Sequence, residues 1–326
     1  MTPSIAKNLD AAKSGDLDAL AHLDDCGLLM GPGETAETYT ARIETLLANI
    51  GELEKDLQKN GKAEVCGIPL VADEAIPKPV YDEAAPVTRN LYGFATDWVP
   101  GFFTSYKMGV LFAGCAWYSL EDFFAVFIVR SGFRNSEKWL IYSRTELLAH
   151  ELCHIARIAY NSHTYEELFA YQTSTSGFRR IIGGLLRSPL DTYVLLGSVG
   201  ILFCAQVINV LVRPPEVWQD FPMPLIWGGL LAAFAFIGGR YAAAMNRFKR
   251  LKSHLADLTA RESVLPVLFR CTDEELDTLS TCCDSADLHA SLQQKISNEL
   301  RWQITAHRFL PDMINLLTDS PSSDNP

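Results

Sequence analysis

Two uncharged stretches constrain this chain more than any other feature. Tyr193 to Val212 runs 20 residues without a charge, and Phe221 to Gly239 runs 19. A hydrocarbon layer about 30 Å thick takes about 20 apolar residues of helix, so each stretch has the length of a membrane span. Arg213-Pro214-Pro215 ends the first and Arg240 ends the second. Basic residues crowd the outer flanks: Arg179, Arg180 and Arg187 before, then Arg240, Arg247, Lys249, Arg250 and Lys252 after. The connection between them holds only Arg213, Glu216 and Asp220. Cytoplasmic flanks collect Lys and Arg, so both ends are expected in the cytoplasm and the loop outside. Tyr193, Trp218 and Trp227 suit interfacial depths. The small pairs Gly228/Ala232 and Ala235/Gly239 are expected to let the two helices approach closely. The competing expectation is a helical hairpin buried in a large soluble core.

The flanks read as soluble protein. Residues 8–29 and Glu34 to Lys59 carry apolar positions at helical spacing, broken by Gly31-Pro32-Gly33. Thr35 or Thr38 is the expected cap of the second helix, whose broad apolar face is Ala41, Ile43, Leu46, Leu47, Ile50, Leu53 and Leu57. Pro69, Pro77, Pro79 and Pro86 predict an irregular connection over residues 61–90, with one short strand near Ile68–Val71. Gly109–Trp117, Phe123–Val129 and Trp139–Tyr142 are short, aromatic and β-branched, and read as strands. Leu251–Leu258, Asp273–Leu279 and Asp287–Leu310 read as helices, with Thr272 capping the second, and the chain after Asp319 as a disordered tail.

The net charge of −11 argues against a nucleic-acid partner, since no excess of Lys and Arg is present to neutralise phosphates. Eight scattered Cys without a C-x-x-C pair read as free thiols of a reducing compartment. Cys282-Cys283 beside His289 suggests a second metal site only weakly, because adjacent thiolates fit one ion poorly. The first 20 residues hold no apolar core of a signal peptide, so the N-terminal region is expected to stay in the cytoplasm.

The chemistry concentrates in Leu147 to Tyr171. His150-Glu151-Leu152-Cys153-His154 is an H-E-x-x-H sequence inside a helical apolar pattern. Four residues turn a helix by about 400°, so both imidazoles point one way, a turn apart, and can share one Zn²⁺. Glu151 lies about 100° round from His150, placed to hold a water as general base rather than to ligate. Ser143 with Glu146 reads as a capping box opening this helix. A second helix is expected from Tyr165 to about Gly177.

A catalytic zinc needs a third protein ligand and an open position. Arg157 and Tyr160 stand where a metzincin carries Gly and His, which excludes that class. His163, Glu166 and Glu167 are the remaining candidates. Thr164-x-x-Glu167 also reads as a capping box that needs no metal. Tyr171, Tyr165, His163 and Arg157 are candidates to steady an oxyanion, and Arg157 is equally suited to pair with Glu146 or Glu166.

Over about 30 residues the chain resembles the gluzincin metallopeptidases, in which a Glu on a following helix completes the site. Members of the CAAX prenyl-protease-like group carry it in an E-x-x-A-D sequence. Glu167-Leu168-Phe169-Ala170 matches E-x-x-A, with Tyr171 in place of Asp. Strands followed directly by the H-E-x-x-H helix predict an α+β fold, a small zincin-like domain at 61–180, with a helical region at 1–60, the hairpin at 188–240 and a helical region at 246–326 around it. The resemblance implies His150, His154 and Glu167 as zinc ligands and Glu151 as the base. The expected function is hydrolysis of protein or peptide substrates, including membrane-proximal ones, by a two-span membrane enzyme facing the cytoplasm. The alternative is a non-catalytic zincin-like membrane scaffold or sensor.

Overall fold

Local caps set the helix boundaries of the N-terminal region. The structure, a computed structural model, describes residues 3–65, 67–104, 113–119, 124–140, 142–211 and 223–318. Helices α1 (Pro3–Lys13) and α2 (Leu17–Asp25) meet at Gly15, and Asp16 caps α2 by accepting from the Ala19 N–H at 2.8 Å. Thr35 and Thr38 form a reciprocal capping box at the start of α3 (Ala36–Asn60), and Gly61 ends it in the left-handed region at φ 69°. Its buried face is Tyr39, Ile43, Leu46, Leu47, Ile50 and Leu53, whereas Ala41 faces solvent.

Strands β1 (Lys62–Val65) and β2 (Ile68–Val71) form a small hairpin. The proline-rich stretch that follows is not irregular. It builds α4 (Lys78–Tyr92), with Pro79 in the first turn and Pro86 inside the helix. Pro fits a first turn because that N–H has no helical partner. Val80, Tyr81, Ala84, Thr88 and Tyr92 then give α4 a buried face that outweighs the bond lost at Pro86.

Strand β3 (Gly101–Phe103) runs parallel to β5 (Phe124–Val129), and β4 (Gly114–Ser119) pairs antiparallel on β5's other side, leaving β4 at the edge. The expected strand at Gly109 to Trp117 thus begins at Gly114 among the described residues. Gly114 is required there: a Cβ would stand 2.8 Å from the Ile128 carbonyl. The expected Trp139–Tyr142 strand is instead a hairpin of β6 (Lys138–Trp139) and β7 (Tyr142–Ser143).

Helix α5 (Arg144–Ala156) carries the H-E-x-x-H residues. Ser143 occupies its N-cap position without a side-chain bond, so the Ser143–Glu146 box is not formed. Glu146 instead accepts from Thr175 N–H at 2.9 Å, Ser174 hydroxyl at 3.2 Å and Arg179 at 2.8 Å. The single helix expected from Tyr165 to Gly177 is two: α6 (Glu166–Tyr171) and α7 (Gly177–Ile182), the latter capped by Ser176.

Two helices are long and apolar enough to cross a membrane: α8 (Pro189–Leu211) and α9 (Met223–Ala256). They pair with each other, but not through the expected small residues, since no atom lies within 4 Å of a Cβ built at Gly228 or Gly239. Helix α9 continues unbroken through the segment expected to be a separate helix at Leu251. Trp218 and the loop over residues 213–222 lie outside the described residues. Exposed side chains dominate the hairpin, Ile201, Phe203 and Leu231 among them, so it is not buried in a soluble core.

The remaining chain packs as α10 (Val264–Phe269), α11 (Asp273–Leu279), α12 (Ser285–Asn298), α13 (Leu300–Phe309) and α14 (Pro311–Thr318). Thr272 caps α11 in a full capping box with Glu275, as its sequence predicts. The single helix expected over Asp287–Leu310 is broken at Glu299. The tail beyond Asp319 lies outside the described residues. Among the described residues the molecule is mostly helical, with three small sheets.

Candidate metal centre

Helices α5 and α6 meet face to face, and their polar residues converge. The Nε2 atoms of His150 and His154 stand 3.2 Å apart. Glu167 from α6 approaches both, Oε2 at 3.6 Å from His150 and Oε1 at 3.6 Å from His154. These three residues are the metal-competent cluster found among the described residues, with donor atoms within 4.8 Å of one another.

Donor chemistry tests the fit. Zinc bonds of about 2.0–2.2 Å to a tetrahedral centre put ligand atoms about 3.3–3.5 Å apart. The 3.2 Å between the two Nε2 atoms is close to that edge length, and each Glu167 oxygen lies 3.6 Å from one of the two His, with one donor atom from each residue within 4.8 Å of the others. Two imidazole nitrogens aimed at each other also need a cation or a proton between them. Burial, then the neighbouring His154 and Arg179, pushes His150 down to about 3. Burial opposes charge on His154 too, but Glu166, Glu151 and Glu167 outweigh it and raise His154 to about 9. The two shifts run in opposite directions, as expected of adjacent imidazoles that resist being charged together.

Glu166 takes a different place from its neighbour. Its Oε1 meets His154 Nδ1 at 3.1 Å, and its Oε2 accepts from Arg157 Nε at 2.8 Å. A carboxylate behind a ligating imidazole fixes the ring's tautomer and aim. Burial raises Glu166, and Arg157 and His154 more than offset that, leaving it ionised below its ordinary range. The Ala170 backbone makes the corresponding bond to His150.

Arg157 is fully buried and reaches further into the protein. It donates to the carbonyls of Phe269 and Cys271 at the end of α10, and to Ser162 Oγ at 3.0 Å. Ser162 in turn bonds Asp273 at the start of α11. Asp273 accepts from the backbone N–H groups of His163, Thr164 and Tyr165. The Thr164–Glu167 capping box is therefore not formed: α6 has no side-chain cap of its own, and Asp273 serves the preceding turn.

Glu151 is buried beside the sheet, and its Oε2 accepts from the Ala116 N–H of edge strand β4 at 2.7 Å. Burial raises its carboxyl to about 7, against the lowering pull of His154 and Ala116.

No family model, curated protein or solved structure matches this chain. The site must be read from its own geometry.

That geometry sorts the sequence candidates. His150, His154 and Glu167 come together, with Glu151 alongside. His163 is exposed and outside the cluster. Arg157 is committed to Glu166 and backbone carbonyls, and Tyr165 to Asp277 at 2.7 Å, so neither is placed as an oxyanion donor. Tyr171 is near: its ring packs edge-on against His150 with centroids 4.6 Å apart. Gly183 makes room for it, since a Cβ there would meet the Tyr171 ring at 2.3 Å. Tyr118 on β4 was not visible in the sequence; it is half-exposed and senses the charges of Glu166 and Glu151. Cys282 contacts Ser291 at 3.7 Å, and no second cluster appears around it among the described residues.

Proposed function

We propose that this protein is a membrane-anchored zinc metalloendopeptidase with a zincin-like catalytic domain, acting at the cytoplasmic face. The observation that carries this reading is the convergence of His150, His154 and Glu167 beside a buried Glu151. His150, His154 and Glu167 hold the ion in it, and Glu166 and the Ala170 backbone aim the two imidazoles. Bound there, zinc supplies Lewis-acid chemistry, polarising a carbonyl and acidifying a water.

Glu151 takes the proton of the attacking water and passes it to the leaving amine; a carboxyl near pH 7 suits both transfers. An extended substrate adds to the edge of β4, whose Ala116 N–H is engaged by Glu151 and so holds that carboxylate beside the bound strand. Three protein donors leave a position open, which supports catalysis over a closed structural site. The basic flanks of α8 and α9 support a cytoplasmic face for both ends.

Full-length protein in detergent is expected to hold one zinc per chain and to cleave fluorescein-labelled casein. Glu151→Gln is expected to keep the zinc and lose the cleavage. Absence of stoichiometric zinc, or cleavage unchanged in Glu151→Gln, overturns the proposal. Zinc retained with no cleavage of any peptide library favours the scaffold or sensor reading.

A further inference from the structure

The turn between α7 and α8 buries a guanidinium that lacks hydrogen-bond partners at two of its nitrogens among the described residues. Arg187 is only 8% exposed, and neither its Nε nor its Nη1 has a hydrogen-bond partner. A desolvated guanidinium without a counter-charge is costly, and such a group persists where something else supplies one.

The nearest carboxylate is already engaged. Asp191, almost fully buried, accepts on Oδ2 from the Arg187 backbone N–H at 3.2 Å, the Ser188 N–H at 3.1 Å and the Ser188 hydroxyl at 3.0 Å. Its Oδ1 accepts from Arg240 Nη1 of α9 at 2.6 Å. Arg187 feels the charges of Asp191 and Arg240 and faces the phenols of Tyr165 and Tyr241. The Asp191 carboxylate is thus ion-paired with the Arg240 guanidinium, whereas that of Arg187 makes no ion pair with it.

The setting identifies the missing anion. Arg187 stands two residues before α8 begins, and Arg240 directly follows the uncharged run that ends at Gly239. Both lie at the same end of the hairpin, joined through Asp191. Nearby in sequence, Phe178, Ile181 and Leu186 before α8 and Leu190 and Tyr193 in its first turns are exposed. Apolar side chains flanking a basic turn at the mouth of a membrane hairpin match the depth of lipid headgroups.

We propose that Arg187, with Arg240 beside it, binds the phosphate of an anionic membrane lipid at the mouth of the hairpin. Guanidinium groups suit phosphate because they are planar, weakly hydrated and permanently charged. A zwitterionic headgroup would bring a second cation into a cluster that already has an excess, so the site prefers lipids of net negative charge. The proposal rests on reading α8 and α9 as membrane spans and is independent of the metal centre.

The test uses full-length protein in dodecyl maltoside, titrated with phosphatidylglycerol, phosphatidylcholine or inorganic phosphate. Lipid binding is read by native mass spectrometry and stability by melting temperature. Phosphatidylglycerol is expected to bind about five- to tenfold more tightly than phosphatidylcholine and to raise the melting temperature. Arg187→Gln is expected to abolish that preference while leaving the lipid-free melting temperature unchanged or higher. Arg187→Lys, which keeps the charge, is expected to retain part of the preference. A preference that survives Arg187→Gln overturns the proposal. So does a lower lipid-free melting temperature in Arg187→Gln, which would mean the guanidinium is already satisfied inside the protein. Stabilisation by inorganic phosphate equal to that by lipid assigns the site to a free anion instead. Failure of the wild-type chain to float with phosphatidylglycerol liposomes overturns the membrane reading and this site together. None of these measurements reads zinc or cleavage, so failure of the peptidase proposal is a separate result.

Discussion

The α5–α6 seam buries charge, whereas the α8–α9 hairpin exposes hydrocarbon. At the seam, Glu151, Glu166 and Arg157 are packed among His150, His154 and aromatic rings. Along the hairpin, Leu202, Ala233 and Ile237 are among the few side chains turned inward over the apolar run. Buried like-charged groups call for a counter-ion, and an exposed apolar surface of this extent calls for a non-aqueous solvent. On the proposed reading each region is completed by a component from outside the chain, a metal ion at the seam and lipid along the hairpin.

The largest expected effect breaks the seam's chemistry. Glu151→Gln is expected to lower kcat/KM by about 10²–10⁴ with zinc content unchanged. An equal loss of zinc would reduce Glu151 to a packing residue and remove the contrast with Glu166. On the hairpin, Ile201→Arg puts a charge on an exposed face of α8. It is expected to disfavour membrane insertion by about 2.5–3.5 kcal/mol, read as the fraction of chain recovered with microsomes. Unchanged recovery would make that face an interface with another protein.

Glu275 provides an internal reference for the seam, because the protein supplies all of its counter-charge. Burial raises its carboxyl, but Arg301, Lys295 and the Thr272 N–H outweigh that and hold it down at about 2, below the ordinary 4.5. The folded value is the lower one, so this stabilisation is fully present above pH 4.5 and is lost as pH falls toward 2. Glu275→Gln is expected to flatten the acid-unfolding curve in that window by on the order of 2–3 kcal/mol. A curve of unchanged slope would show that the Glu275 cluster is no reference.

Glu166→Gln is expected to weaken zinc binding by about 10- to 100-fold, measured by competition with a chelator. A complete loss would make Glu166 a ligand rather than the group that aims His154. The smallest effect concerns caps: Thr272→Ala is expected to lower stability by about 1 kcal/mol, and Ser143→Ala by less than about 0.5 kcal/mol. Thermal unfolding of the two variants side by side checks both.

The sequence made some of this legible and hid the rest for identifiable reasons. His150 and His154 are four apart on one helix, so their convergence follows from the helical repeat alone. The Thr35 and Thr272 caps are likewise local, and both form. Ser143 and Thr164 look just as suitable, yet Glu146 is drawn to Thr175 and Arg179, and Asp273 serves the turn before α6. Those competitors lie 29 to 110 residues from the groups they engage, beyond any local pattern. Helix α4 was hidden by reading Pro79 and Pro86 as breakers, when a first-turn Pro and a buried face reconcile them. Between Glu166 and Glu167 the sequence favours Glu167 only through the E-x-x-A resemblance. Neighbouring helical residues point about 100° apart, and in the structure Glu166 turns to His154 Nδ1 and Arg157 while Glu167 faces the two Nε2 atoms.

Helix α9 has one consequence of its own. At 1.5 Å per residue its 34 residues extend roughly 51 Å, well beyond a hydrocarbon layer of about 30 Å. If its apolar half lies in a bilayer, the other half stands in water as a rigid post. Arg247 on that post pairs with Asp277, which holds the Tyr165 hydroxyl at the start of α6, and Phe248 packs on Phe169 inside it. The helix that carries Glu167 is thereby pinned at a fixed height above the lipid. Selection among substrates would then depend on altitude as well as sequence: a susceptible bond would be one whose tether brings it to that level.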